Sequence, residues 1–417
     1  MLRHCLSLCN LQRQAVAAKR LNTSFIRFMS GLFQLKGQVK HYDWGGHSFI
    51  PSLLAIDNAE NRPFAEYWMG VHAQGPAILI DQSGHPSSLA EQASNLSFLL
   101  KLLDVRDMLS IQVHPNKEMA AADFQRENEA GIPLSDPTRN YKDPNHKPEL
   151  MVALSEFWLL HGFRSPDSLN DIFTRHDFLH PLQSIWQQGG YAGLYKWVME
   201  LPQLEVDEIL LKPLEEMVQY YKSGTLGKND PCFWAARAHL SFSKGSGVDR
   251  GIFSVFLFNL VHLQKGQGIF QAAGVPHAYL EGQNVEIMAN SDNVLRGGLT
   301  PKHIDVAELL RHVSSVPIDP MVLDPLSDTD GWRRFPVPVS DFRMELLECH
   351  PGQRYPFTSD RPCILLMPEG KLTISTESDK LVLGAPQISA YLEGGTRVML
   401  EVMESGLLFI AMGEEPV

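Results

Sequence analysis

One block of helical periodicity, set inside a chain that otherwise reads as short strands and turns, constrains this sequence more than any other feature. It opens at "SPDSLNDIF", where Ser165 is placed to cap, Pro166 takes the first helical position and Asp167 sits in the first turn. The period continues through "LQSIWQQ", "GLYKWVMEL" and "VDEILLKPLEEMVQYYKSG", with Gly224 as the C-terminal stop. Before this block, from Leu35 to Gly162, apolar segments such as "GPAILID" are broken by Gly, Pro and Asn and read as strands. After it, "IFSVFLFNLVHL" from Ile252 reads as a strand buried on both faces, and the following "KGQG" turn favours that over a buried helix. From Phe335 onward, short strands at turn-punctuated intervals predict an antiparallel sandwich or barrel. At 417 residues the chain exceeds one ordinary core. The expected fold is mainly β with a helical insertion or domain at 165–247, between a first β unit at 32–164 and a return to strands at 248–330, and followed by a further β unit at 331–417.

A formal charge of -12 argues against a nucleic-acid partner, since phosphate backbones demand clustered Lys and Arg. Any anionic substrate must be met by a local basic pocket. No apolar run is long enough to span a bilayer, and no membrane partner is expected. Cys5, Cys9, Cys232, Cys349 and Cys363 show no paired spacing, which favours a reducing compartment. Residues 1–31 form a leader. Between Met1 and Tyr42 there is no Asp or Glu, while Arg3, Arg13, Lys19, Arg20 and Arg27 are scattered among Ser, Leu and Ala, as in a mitochondrial presequence. An untargeted tail, or a start at Met29, accounts for the same composition.

Three clusters carry chemistry. In "LSIQVHPNKE", alternation puts Ser110, Gln112 and His114 on one face of a strand, and Ile111 and Val113 on the other. A lone strand histidine is commonly structural, so this cluster needs the others. "YKDPNHKPE" places His146, Lys147 and Glu149 after enforced turns, where a solvated charged loop is the competing reading. "GVPHAYLEGQNVEIMANSDNVLRGGLTPK" contains His277, Glu286, Asp292, Arg296 and Lys302. Two imidazoles with carboxylate and amide oxygens suit Zn²⁺, although manganese or iron would accept similar donors.

Tyr141–Glu149 and His277–Lys302 closely resemble the two signature motifs of type I phosphomannose isomerases, and "YDWGG", "AEYWMG" and "FLLKLLDVRDMLSIQVHPNKE" resemble further blocks of that family. The resemblance covers the chain after about Gly31, with Gly297 standing where the family usually has alanine, an exchange expected to be tolerated beside Gly298. It implies a zinc-bearing cupin-like barrel with an inserted helical domain, and a C-terminal cupin-like barrel without metal; after Phe335 the only histidine is His350. The implied zinc ligands are Gln112, His114, Glu149 and His277, and the implied catalytic arginine is Arg296. His146, Lys147 and Asp292 match residues of ring opening or proton handling, and Ser110 and Lys117 are expected near the substrate phosphate. The implied reaction interconverts mannose 6-phosphate and fructose 6-phosphate through a cis-enediol, supplying GDP-mannose and glycosylation or mannose catabolism. Glu286, Lys147 and a water held by the metal are the candidates for taking the C2 proton. A cupin oxygenase, or a noncatalytic sugar-binding cupin, are the alternatives. A cytoplasmic monomer is expected, with mitochondrial import as the alternative that the leader raises.

Overall fold

The computed structural model describes residues 31–243, 247–327 and 331–413. The leader before Gly31 lies outside them.

Among the described residues two antiparallel sheets dominate, one of eleven strands and one of ten. The smaller is built around the long strand His277–Ala289, which pairs with Phe98–Val105, Glu149–Ala153, Phe157–Phe163 and Gln112–Val113. The larger is centred on Cys363–Ser375 and Arg397–Met412. It also takes in Leu32–Lys36, Ile78–Ile80 and Pro86–Ser88 from the N-terminal part. These strands were expected with the first β unit. They cross over because Leu32 packs among Leu347, Leu365 and Leu392, while the pairing of Leu32–Lys36 with Ser389–Leu392 satisfies a main-chain edge that would otherwise stay bare.

Alternation along the strands of the smaller sheet separates two environments. Phe98, Leu100, Leu102, Leu150, Val152, Val285 and Ile287 point into a core shared with Met344, Ile364, Leu366 and Phe409 of the larger sheet. The residues between them, Leu99, Lys101, Leu103, Glu149, Glu286 and Met288, line a cavity on the opposite face. Burying the Leu and Ile side chains of the shared core stabilises the fold by roughly 1.5–3 kcal/mol each. That burial fixes the register, and a slip of one residue would exchange Lys101 for Leu100 or Leu102.

The helices Pro166–Arg175, His180–Glu200, Gln203–Lys222 and Pro231–Phe242 fill the stretch where helical periodicity was read. The Ser165 hydroxyl accepts from the Ser168 amide, and Gly224 follows the third of these helices with φ +74°. Leu169, Phe173, Leu194, Val198, Leu210 and Trp234 pack on Ile111, Val113, Leu160, Ala278 and Leu280, covering the outer face of the cavity's other wall.

The apolar run expected as one strand divides instead into a helix, Ile252–Leu257, and a strand, Phe258–Leu263. All six helical residues are buried, so no polar face marks the helical period in the sequence. The strand expected over Ser110–His114 is regular only at Gln112–Val113, yet the alternation holds. Ile111 and Val113 enter the helical core, while Ser110 and Gln112 line the cavity.

Gly297 is less exchangeable than expected. An added Cβ would lie 2.6 Å from the buried Tyr195 Oη and 2.9 Å from Ile111 Cγ2. The glycine makes room for a tyrosine hydroxyl carried by the helix His180–Glu200. Gly297→Ala should destabilise the chain by about 1–3 kcal/mol, the usual cost of overpacking, and Tyr195→Phe in the same chain should recover most of it, as read by urea unfolding.

Candidate active site

The cavity has a volume of about 830 Å³ and is lined by the inner faces of the central strands, the 108–112 and 294–302 segments, and the end of the helix Pro231–Phe242. Ladder pairing sets a row of side chains across one wall. Arg296 lies opposite Gln112, Gln112 opposite His277, His277 opposite His161, and His161 opposite Asn259. Residues directly opposite one another share a face, so Arg296, Gln112 and His277 project together although they come from three separate segments.

His114, Glu149 and His277 converge at the base of this row, all buried. Glu149 Oε1 lies 3.5 Å from His114 Nε2, and Glu149 Oε2 lies 3.4 Å from His277 Nε2. Each ring turns its Nδ1 to a main-chain carbonyl, His114 to Asn293 O at 2.8 Å and His277 to Val275 O at 3.0 Å. A carbonyl only accepts, so Nδ1 carries a proton in each ring and Nε2 is the atom turned to the centre. His114 Nε2 has no hydrogen-bond partner. Burial pushes the His114 ring down to about 4, which keeps the Nε2 lone pair free at neutral pH. Burial alone would raise the Glu149 carboxyl, but Lys147, 3.0 Å away, and His114 hold it well below the usual carboxylate range. Two imidazole nitrogens and a carboxylate with the Gln112 amide alongside fit a divalent cation of the zinc type.

A second buried group, Asp123, Glu308 and His312, is closed by comparison. Arg126 and Arg311 pair with both carboxylates, and the Tyr141 hydroxyl donates to Glu308 at 2.6 Å. It reads as an ion-pair anchor.

Beside the His–Glu group, Lys101 Nζ donates to Glu286 Oε1 at 3.0 Å and the Tyr279 hydroxyl donates to Glu286 Oε2 at 2.7 Å. Burial disfavours the Lys101 charge, but Glu286 and Glu66 outweigh it and raise its proton affinity. The Glu286 carboxyl is raised, first by burial and then by the nearby Glu149, against the pull of Lys101. Asp292 receives Gln74 Nε2 at 3.1 Å and faces His72 Nε2 at 3.2 Å. Arg296, Lys302 and Ser110 also line the cavity, and Arg296 and Lys302 are near enough for their charges to interact. Burial lowers the Lys302 ammonium, and the like charge of Arg296 lowers it further, as for two cations waiting on an anion.

Ten of the twelve residues singled out in the sequence come together here: Ser110, Gln112, Lys147, Glu149, His277, Glu286, Asp292, Arg296 and Lys302 on the cavity lining, with His114 buried behind it. His146 and Lys117 do not. The His146 ring points to Asp341, 3.0 Å from both carboxylate oxygens, because Lys147 and Glu149 face inward on either side of Pro148 and leave His146 turned toward the larger sheet. Lys117 is exposed at the first position of the helix Lys117–Glu129. Lys101 and Tyr279 were not singled out. A lysine flanked by leucines in "FLLKLLD" was the available signal, since a cation inside an apolar strand must find a partner.

The fold and site define a β-sheet protein with a buried His–Glu cation site at the base of a cavity that has cations on its wall. Comparison with known proteins gives this class a family. Residues 32–166 match the phosphomannose isomerase type I catalytic domain. The mannose-6-phosphate isomerase of Escherichia coli is 32% identical over 403 residues, covering 92% of this chain and 96% of that protein. The mannose-6-phosphate isomerase of Homo sapiens is 30% identical over 426 residues, covering 92% and 94%. A crystal structure of mannose 6-phosphate isomerase with zinc bound superposes with a TM-score of 0.82 at 31% identity, covering 93% of this chain and 100% of that one. The Salmonella typhimurium enzyme bound to fructose 6-phosphate and zinc gives 0.81 at 30% identity, with the same coverage. The chain belongs to the type I phosphomannose isomerase family.

The histidine environments predict a pH dependence. His114 and His161 are both pushed by burial from 6.5 down to about 4 in the folded chain. Between those values the unfolded chain binds more protons, so stability present above pH 6.5 is lost as pH falls toward 4. Urea midpoints of the metal-free chain should fall steadily over that window, and His161→Leu should make the fall shallower.

Proposed function

We propose that this chain is a zinc-dependent mannose-6-phosphate isomerase, interconverting D-mannose 6-phosphate and D-fructose 6-phosphate through a cis-enediol. The observation that carries the proposal is the pair of imidazole Nε2 atoms facing the Glu149 carboxylate, with both Nδ1 atoms committed to main-chain carbonyls, beneath a cavity with cations on its wall. Gln112, His114, Glu149 and His277 would hold the zinc. Zinc bound there supplies a Lewis acid that polarises sugar oxygens.

The remaining chemistry belongs to the side chains. Isomerisation removes the proton on C2 and returns it to C1, with hydroxyl protons exchanging between O1 and O2. Glu286 suits the carrier role, because burial raises its proton affinity and Lys101 and Tyr279 fix its orientation. Asp292, oriented by His72 and Gln74, is placed for proton exchange at ring opening, and Lys147 holds Glu149 ionised. Arg296 stabilises negative charge as it develops on the enediolate oxygens, while Lys302 and Ser110 receive the phosphate. His146 and Lys117 have no part in this scheme, since neither lines the cavity.

The same proposal covers architecture and setting. The smaller sheet corresponds to a metal-bearing cupin-like barrel with a helical domain inserted, and the larger to a second cupin-like barrel without metal that borrows N-terminal strands. The enzyme works as a monomer in the cytoplasm and feeds GDP-mannose formation. Microscopy of the full-length chain tagged at its C-terminus distinguishes this location from mitochondria.

Two experiments test the chemistry. Exhaustive chelation should abolish isomerisation and Zn²⁺ should restore it, whereas full turnover in demonstrably metal-free protein would refute the zinc assignment. Arg296→Ala should lower kcat by about 100-fold or more, the scale for one preorganised donor, with zinc content unchanged and a much smaller change in KM. A raised KM at normal kcat would transfer Arg296 to phosphate binding.

A further inference from the structure

His114 and Glu149 reach the cation site from positions 35 apart in sequence, and one buried residue whose side chain touches neither fixes both. Asn293 is 1% exposed. Its main-chain carbonyl accepts from His114 Nδ1 at 2.8 Å, which sets the ring's tautomer and rotation. Its side chain grips the turn that leads into Glu149. Oδ1 accepts from the Lys142 amide at 2.8 Å and the Asp143 amide at 3.4 Å, and Nδ2 donates to the carbonyls of Asp143 and Asn145, each at 2.8 Å. Donors face the oxygen and acceptors face the nitrogen, so only an amide in this orientation satisfies the site.

The neighbours of Asn293 tie the same two segments together. The Asp292 amide donates to Asp143 Oδ2 at 2.7 Å, Asn145 Nδ2 donates to the Asn290 carbonyl at 3.1 Å, and the Ser291 hydroxyl donates to the Asn145 carbonyl at 3.2 Å. Between this turn and Glu149 stand only His146, Lys147 and Pro148, and the proline restricts the residue before it to extended backbone. A displacement of the turn is therefore passed on to Lys147 and Glu149. Because His114 hangs on the carbonyl of the residue that holds the turn, the two metal-facing groups move as one unit.

We propose that Asn293 is a positioning residue that couples the His114 imidazole to the Glu149 carboxylate and thereby sets the cation affinity of the site. The inference rests on the zinc reading of the site. Asn293→Asp is the sharpest probe, because it keeps the shape and turns the donor into an acceptor facing the carbonyls of Asp143 and Asn145. Asn58→Asp is the control. Its Nδ2 likewise donates to two carbonyls, those of His47 at 2.9 Å and Arg62 at 2.8 Å, and its Oδ1 accepts from the Arg62 amide, but none of these belongs to a metal-facing residue.

Zinc affinity is measured by competition with a chromogenic chelator, and ligand geometry by the visible spectrum of the Co²⁺-substituted protein. Asn293→Asp is expected to weaken zinc by about 10-fold or more, the usual cost of losing an outer partner of a ligand, and to alter the cobalt spectrum. Asn58→Asp is expected to lower stability while leaving both readouts near wild type. Zinc affinity within twofold of wild type in Asn293→Asp overturns the inference, as does an equal loss in both variants. If Asn293→Asp does not fold, Asn293→Ala, which removes the amide without adding charge, is read against the same two outcomes. Failure of the wild-type chain to bind zinc would instead refute the zinc reading itself, and this inference with it.

Discussion

The two-residue period of the strands Phe98–Val105, Glu149–Ala153 and His277–Ala289 is the constraint on which the rest depends. Their alternate side chains enter a core shared with the larger sheet, and the shared core accepts only apolar groups. The residues left over, Lys101, Glu149 and Glu286 among them, have no choice but the cavity face. The helices repeat this logic on the opposite wall, drawing Ile111, Val113, Ala278 and Leu280 outward and leaving Gln112, His277 and Tyr279 within. Burial of hydrocarbon on both outsides is what aims the polar residues inward.

Such an interior is costly, since Lys101, Lys147, Glu149 and Glu286 are all buried and each loses hydration. The arrangement offsets the loss by pairing, Lys101 with Glu286 and Lys147 with Glu149, and by hydrogen bonds from Tyr279. Burial, and then the neighbouring Glu149 charge, raise the proton affinity of Glu286, while Lys147 keeps Glu149 ionised. Two carboxylates in one cavity thus hold different protonation tendencies, which is the condition for one to carry protons and the other to face a cation. Rigidity comes from outside the cavity. The 290–293 segment and the turn before Glu149 are joined by amide and carboxylate bonds, and the Tyr141 hydroxyl is pinned to Glu308 where that turn begins.

Much of this was legible in the residues. The helical block from Ser165, its cap and its Gly224 stop follow from local chemistry and stand in the structure. The donor types for a cation were legible in the three clusters, but which of them face the metal came from the resemblance of Tyr141–Glu149 and His277–Lys302 to the family motifs, since each cluster alone also reads as a structural histidine or a charged loop. What escaped had a physical cause. Ile252–Leu257 is buried on every side, so its helical period left no trace. Lys101 sits in a run of leucines whose partner, Glu286, is 185 positions away. His146 looked equivalent to Lys147, but the proline after Lys147 and the carboxylate of Asp341 turned it out of the cavity.

By itself the sequence determined the alternation of each strand, the helical interval, and the donor types able to hold a cation, because these depend on residues within a few positions of one another. Tertiary structure alone decided which face met the cavity, that Leu32–Lys36 would complete the distant C-terminal sheet, and that Gly297 had to leave room for Tyr195. It also decided that His114 and Glu149 would share the anchor Asn293. Those outcomes depend on pairing between segments hundreds of residues apart, where burial and register, not local preference, select the partner.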